Sequence, residues 1–366
     1  MAIEFSERVR RIPVYPAAAG YSLPEEVAHL ASNESPDPPL PAVVEAIERV
    51  LRGLNRYPDP KSAALRSALG DRYGVPATRI ALGNGSVDLL LALGDALLEP
   101  GAEIVYAWPS FSVYPHLEAA SGARGVRVAL NERDEHDLER MLGEITVATR
   151  LVIVNNPNNP TGTALPLADL REFVERVPRH VCVVLDEAYC EFSTLDDPDA
   201  SLELLPEHPN LVLLRTFSKV GGLAGLRVGF ALCGSADVVG AVDLVRQPFF
   251  CSAVAQAAAI EALRHPDAIA ARVARTVLAR VQVTEGLRAL GIEPVASQAN
   301  FVWFALPTSP EGSPREVEGR VVAGLAERGI LVRSGSALGR EGWLRVSFGT
   351  EAENARFLAA LGELLL

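Results

Sequence analysis

Short runs of Val, Leu and Ile recur through the middle of the chain, at 79–83, 103–107, 150–155, 181–187, 211–216 and 227–233. Their residues are apolar at successive positions rather than alternate ones, which predicts strands covered on both faces. Between them, 86–98 and 112–122 carry apolar residues at helical spacing, and the other intervals read as helices or loops. Upstream, a helix is expected to begin near Pro41 and run through AVVEAIERVL. A turn-rich connector, NRYPDPK, follows at 55–61, and then a helix from Ser62 to Tyr73. Strands of this kind alternating with helices imply an α/β fold with a mostly parallel sheet covered on both sides.

After Pro248 the pattern changes. Helices dominate from Ala253 to about Leu290, the longest near 267–290. NFVWFAL (300–306), GILVRS (329–334) and WLRVSFG (343–349) then read as strands, with a closing helix at 351–365. This predicts a smaller α+β domain. Residues 1–40, with PPLP at 38–41, read as an arm that helps complete it. The expected division is 1–50 for the arm and part of the small domain, 51–250 for the large domain, and 251–366 for the small C-terminal domain. No internal repeat is visible.

Composition narrows the function classes. Of the 366 residues, 49% are hydrophobic, enough for a large two-lobed core. The formal net charge of −12 argues against a nucleic-acid partner. The N-terminus has mixed charges and no signal-like apolar stretch, and the best apolar run, Leu89 to Leu98, is broken by Asp95. A cytoplasmic protein with no membrane contact is expected. Cys182, Cys190, Cys233 and Cys251 show no CxxC spacing, and the six histidines form no HxxxH pair, so buried free thiols and no metal site are expected. Only Lys61 and Lys219 among the 34 basic residues are lysines. Arginine can replace a lysine that supplies only charge, but its guanidinium stays protonated and cannot act as a nucleophilic amine. Both lysines therefore gain weight as functional candidates.

The uncommon residues sit where apolar strands end. The run 150–155 leads into NPNNPTG, 181–185 into Asp186, Glu187, Ala188 and Tyr189, and 211–216 into Phe217, Ser218 and Lys219. In parallel α/β sheets ligands bind at such ends. Singly, these are a turn, a helix-capping or arginine-paired carboxylate, and a solvated lysine. Together they fit the needs of pyridoxal 5′-phosphate: an amine for the cofactor aldehyde, a carboxylate for the pyridine nitrogen, and an amide and a phenol for the ring oxygen. GNGSVD (83–88) joins a strand to a helix whose first N–H groups suit a phosphate, with Ser218 and Arg227 able to add a hydroxyl and a charge.

NNPNNPTG, DEAY and TFSKVGGLAGLRVG, in that order, resemble the fold-type I, class I/II aminotransferases. LASNESP (30–36), NRYPDP (55–60) and WLRVSFGT (343–350) are similar to the histidinol-phosphate aminotransferase branch, and the likeness extends over nearly the whole chain. It implies a large domain with a mostly parallel sheet, a smaller α+β domain, and pyridoxal phosphate as cofactor. Lys219 would form the Schiff base and shuttle the proton, with Asp186 on the pyridine nitrogen and Tyr189 and Asn159 on the ring oxygen. Gly85, Ser86, Ser218 and Arg227 would hold the phosphate, and Phe111 would stack on the ring where many relatives carry Tyr. Tyr57 would reach the phosphate of a partner subunit, implying a homodimer with shared sites. Arg345, Arg333, Tyr15 and Asn33 would meet the substrate, and Lys61 has no implied role. The implied reaction is ping-pong transamination of histidinol phosphate with 2-oxoglutarate and glutamate.

The alternatives are an aromatic amino acid aminotransferase and a decarboxylase of a phosphorylated amino acid. A dinucleotide enzyme is disfavoured because Asp88 stands where GxGxxG needs its last glycine. A non-catalytic regulator module is disfavoured by the complete set of lysine, aspartate and arginine.

Overall fold

The computed structural model describes residues 3–14, 27–307 and 312–365. Its strands are β1 (Ala28–His29), β2 (Ile80–Gly83), β3 (Glu103–Trp108), β4 (Arg124–Ala129), β5 (Thr149–Asn155), β6 (Cys182–Asp186), β7 (Leu211–Thr216), β8 (Gly229–Cys233), β9 (Phe301–Ala305), β10 (Ile330–Leu331), β11 (Arg333–Ser334) and β12 (Trp343–Ser347). Seven of them form the central sheet, in the order β2-β8-β7-β6-β5-β3-β4. The pairs from β7 through β4 are parallel, and β8 runs antiparallel to both its neighbours. The mostly parallel sheet expected from the apolar runs is therefore present.

Alternate residues of each strand feed two different cores. Val152 and Val154 of β5, Val183 and Leu185 of β6, and Leu211 and Leu213 of β7 face one layer of helices. Leu151 and Ile153, Cys182 and Val184, and Val212 and Leu214 face the other. The first layer includes Phe173 and Val174 of helix Leu167–Arg176, and the second includes Leu89, Leu90 and Leu93 of helix Ser86–Leu97. Burial on both faces is why these strands read as continuous apolar runs. The four cysteines are free and buried. Burial pushes the Cys182 thiol up to about 12 and the Cys251 thiol up to about 11.

A second core lies on the antiparallel sheet β11-β12-β9. Val302, Phe304, Leu344 and Val346 pack there with Leu287 of helix Pro266–Ala289, Leu325 of Pro314–Glu327 and Phe357 of Glu351–Leu365. Ala28 and Leu30 join them, so residues within the 1–40 arm help complete this layer. The single strand expected at 329–334 is split. β10 pairs in parallel with β1, whereas β11 pairs with β12, because the chain changes partner at Val332.

β4 and helix Pro314–Glu327 were not expected. β4 lies at the sheet edge and buries only Val126 and Val128, so it lacks a continuous apolar run. The helix starts at a capping box in which Ser313 and Glu316 exchange hydrogen bonds. Helices Pro41–Leu51 and Ala253–Ala262 pack on each other, and Val43 and Ala255 both enter the core on the large sheet. Among the described residues no helix is long and apolar enough to cross a membrane.

Candidate active site

Strand parity sorts the residues at the carboxyl end of the sheet. Asn155, Asp186 and Thr216 continue the face of Ile153, Val184 and Leu214. Glu187 and Arg215 are one residue out of step and point to the opposite face. There Arg215 Nε donates to Glu187 Oε2 at 2.8 Å and Nη1 to Asp199 Oδ1 at 2.6 Å, with Arg215 only 1% exposed. The first face opens into a cavity of about 550 Å³.

Asn155 ties the first two strand ends together. Its Nδ2 donates to the Asp186 carbonyl at 2.9 Å, and its Oδ1 accepts the Asn159 amide N–H at 2.8 Å. Asn159 is thus held at the cavity by the strand that precedes it. Asp186 is buried, and its Oδ2 accepts the Tyr114 hydroxyl at 2.9 Å. Its Oδ1 has no hydrogen-bond partner among the described residues. Burial raises the Asp186 carboxyl to about 6, against the opposing effects of Tyr114 and the Ala188 amide. A buried carboxylate oxygen with no donor fits a cationic ring N–H.

Lys219 Nζ lies 5.6 Å from the centroid of the Tyr189 ring and donates to the Ser32 carbonyl at 3.2 Å. Burial is the largest cause lowering its amine to about 7. The Arg345 and Arg227 cations act in the same sense, and the Glu34 and Asp186 carboxylates oppose them. A substantial fraction is therefore the neutral nucleophile near neutral pH.

The phosphate candidates meet at the start of helix Ser86–Leu97. Gly85 has φ +80°, and a Cβ there would stand 2.4 Å from Arg227 Nη2. A Cβ on Gly229 would stand 2.4 Å from the Ser86 backbone nitrogen. Only glycine leaves this corner open. Arg227 itself adopts φ +56° and holds its guanidinium by donating to the Ala224 carbonyl at 3.1 Å and Ser218 Oγ at 3.4 Å. Helix-start N–H groups, a hydroxyl and a fixed cation suit a phosphate dianion.

On the opposite wall, Arg333 and Arg345 are partners in the β11–β12 register, and both are buried. Arg345 Nη1 donates to Asn159 Oδ1, and Nη2 to the Ala31 carbonyl at 2.7 Å. Phe111 lines the cavity and meets Tyr114 edge-on, with centroids 5.8 Å apart.

Lys219, Asp186, Tyr189, Asn159, Ser86, Phe111, Ser218, Arg227, Arg333, Arg345 and Asn33 all line this one cavity, with Gly85 against Arg227. The Asn33 side chain is engaged by protein groups on both sides: its Nδ2 donates to the Tyr189 oxygen at 3.0 Å and its Oδ1 accepts from Ser347 Oγ at 3.1 Å. Tyr57 is outside the cavity, 80% exposed and stacked on Phe249 with centroids 4.4 Å apart. Lys61 is on the surface beside Asp59. Tyr15 lies outside the described residues.

Tyr114 and Asn155 escaped the sequence reading. Tyr114 sits three positions after Phe111, a spacing that can place both on one side of a helical turn. Asn155 ends an apolar strand, where a polar residue on the parity of the cavity face is itself a signal.

The family model for aminotransferase class I and II matches residues 25–361. An aromatic amino acid aminotransferase of Streptomyces coelicolor is 44% identical over 339 residues, covering 92% of this chain and 94% of that protein. Histidinol-phosphate aminotransferase 1 of Thiobacillus denitrificans is 43% identical over 340 residues, covering 93% and 86%. The crystal structure of histidinol-phosphate aminotransferase from Sinorhizobium meliloti in complex with pyridoxal-5′-phosphate superposes with a TM-score of 0.84 at 30% identity, covering 93% of this chain and 90% of that one.

Proposed function

The chain belongs to the aminotransferase class I and II family, and on that premise we propose that it moves the amino group of histidinol phosphate to 2-oxoglutarate, with pyridoxal 5′-phosphate as cofactor. When bound, the cofactor supplies a protonated pyridine ring that withdraws electrons from the carbon bearing the amine. Asp186 Oδ1 would accept the pyridine N–H. Tyr189 and Asn159 would serve the ring oxygen, and Phe111 would cover the ring face. Gly85, Ser86, Ser218 and Arg227 would hold the phosphate. Lys219 Nζ would hold the cofactor covalently, and as a released neutral amine would take the proton from the amine-bearing carbon of the donor. Its lowered pKa suits that role.

The observation that carries the choice of donor is the buried Arg333–Arg345 register pair. Two guanidinium groups on one wall suit the dianionic phosphate of histidinol phosphate better than the single carboxylate of an aromatic amino acid. The two carboxylates of 2-oxoglutarate can use the same pair in the second half-reaction. An aromatic amino acid donor is the second reading, favoured by the 44% identity to the Streptomyces coelicolor enzyme. The test is a half-reaction spectrum of the cofactor-loaded protein without any oxo acid. Histidinol phosphate should bleach the yellow band at least about tenfold below the concentration phenylalanine needs, about 1.4 kcal/mol of preference. Conversion by phenylalanine alone would move the enzyme to the aromatic group.

We also propose a homodimer in which Tyr57 reaches the phosphate of the partner's site. The exposed apolar residues Leu51, Leu54 and Tyr57, from the end of helix Pro41–Leu51 onward, and Leu244, Val245 and Phe249, from the end of helix Ala236–Val245 onward, support it, joined as they are by the Tyr57–Phe249 stack.

A further inference from the structure

Three consecutive residues of the 1–40 arm each hold a different side chain of the site. The Ala31 carbonyl accepts from Arg345 Nη2 at 2.7 Å, the Ser32 carbonyl from Lys219 Nζ at 3.2 Å, and Asn33 Nδ2 donates to the Tyr189 oxygen at 3.0 Å. The segment is pinned to the smaller lobe. Leu30 N–H donates to the Leu331 carbonyl, and the Leu30 carbonyl accepts from Ser347 N–H, both at 2.9 Å. Asn33 is 1% exposed and sits at φ +54°, a left-handed conformation that asparagine tolerates better than most residues. Ser347 Oγ accepts the Asn33 backbone N–H at 2.8 Å and donates to Asn33 Oδ1, which fixes the amide with its NH₂ toward the phenol.

We propose that Asn33 is a positioning residue that sets the direction of the Tyr189 proton. In the Asn33 contact the phenol oxygen accepts, which directs its own O–H away from Asn33; on the reading of Tyr189 as a donor to the ring oxygen, that proton is the one the cofactor would receive. A phenol that accepts one hydrogen bond is also a stronger donor in the next. The inference rests on the reading of Tyr189 as a donor to the ring oxygen and adds what orients it. It also means that the smaller lobe, through Ser347 and Asn33, has a hold on the cofactor's electronic state as well as on the substrate.

The readout is the pH midpoint of the absorption of the protein-bound cofactor. A donor to the ring oxygen stabilises its anionic form and lowers that midpoint, so weaker donation raises it. The charged groups around the amine are Asp186, Arg345, Arg227 and Glu34, and Tyr114 is the neighbouring phenol; all are retained in the variants. Asn33→Gly keeps the positive φ and removes the amide, and should raise the midpoint by about 0.5 to 1 pH unit. Asn33→Asp offers the phenol a carboxylate acceptor, turns its proton away from the ring, and should raise the midpoint further. In a Tyr189→Phe background, Asn33→Gly should add nothing. Unchanged midpoints with a raised KM for the donor would make Asn33 a substrate contact and overturn the proposal, as would shifts that add to that of Tyr189→Phe. If Tyr189→Phe alone left the midpoint where it was, the role of Tyr189 itself would fail, and that of Asn33 with it.

Discussion

Asp186 shows how one side chain can be costly to the fold and useful to the chemistry. Its carboxyl is raised to about 6 by burial, whereas an unfolded aspartate titrates near 3.9. Between about pH 4 and 6 the folded cofactor-free protein holds a proton that the unfolded chain has lost. Stability therefore falls as pH rises through that window, and above it the carboxylate costs about 2–3 kcal/mol. Asp186→Asn should remove the cost while keeping an acceptor for Tyr114. In urea unfolding of the cofactor-free protein, the variant should be the more stable at pH 8 and equal to the parent near pH 4. A parent as stable as the variant at pH 8 would show that Asp186 is not strained by burial. With pyridoxal phosphate added the order should reverse, because the parent gains more from the bound ligand than a variant that has lost the carboxylate for the pyridine N–H. Lys219, Asp186, Tyr189 and Asn159 were legible in the sequence because amine, carboxylate, phenol and amide fall at strand ends. Tyr114 was hidden because a tyrosine beside Pro115 in a helical stretch carries no mark of the carboxylate it meets 72 positions later.

At the level of elements, the site depends on the turn from β2 into helix Ser86–Leu97. Gly85→Ala places a methyl 2.4 Å from Arg227 Nη2 and asks alanine to hold φ +80°. The guanidinium can swing aside, but then it leaves the phosphate corner. The expected result is about 10- to 100-fold weaker cofactor binding, corresponding to roughly 1–3 kcal/mol of strain and lost contact. Titration of the cofactor-free variant with pyridoxal phosphate checks this, and unchanged affinity would remove Gly85 from the phosphate site. Strands β5 to β8 were readable because both faces are buried. β4 was not, since an edge strand with RGVRVA buries only every second residue. The strand expected at 329–334 is there, but its split into β10 and β11 was not readable, because the pairing is decided by distant partners at Ala28 and Arg345 rather than by local pattern.

For the whole molecule, the proposed sharing of sites between two subunits has a consequence that one chain cannot show. Lys219→Arg removes the proposed nucleophilic amine, and Tyr57→Ala removes the phenol proposed to reach the partner's site. Each variant alone should be severely impaired, the first by about 10³-fold or more in kcat. Mixed and reassembled, they should form dimers with one site holding both groups, so activity should rise well above either parent. No recovery, with hybrid dimers verified by mass, would place Tyr57 outside the partner's site. The arginine bias of the chain matters here in another way. Only two of its 34 basic side chains are primary amines, Lys61 on the surface and Lys219 in the cavity. Arginine does not compete for acylating or imine-forming reagents. A small amine-directed electrophile used near pH 7, close to the lowered pKa of the buried amine, would reach Lys219 in the cofactor-free protein with only one competing side-chain amine, Lys61. In a more lysine-rich protein the same reagent would mark the surface first; here the scarcity of lysine makes the catalytic pocket the chain's natural labelling handle.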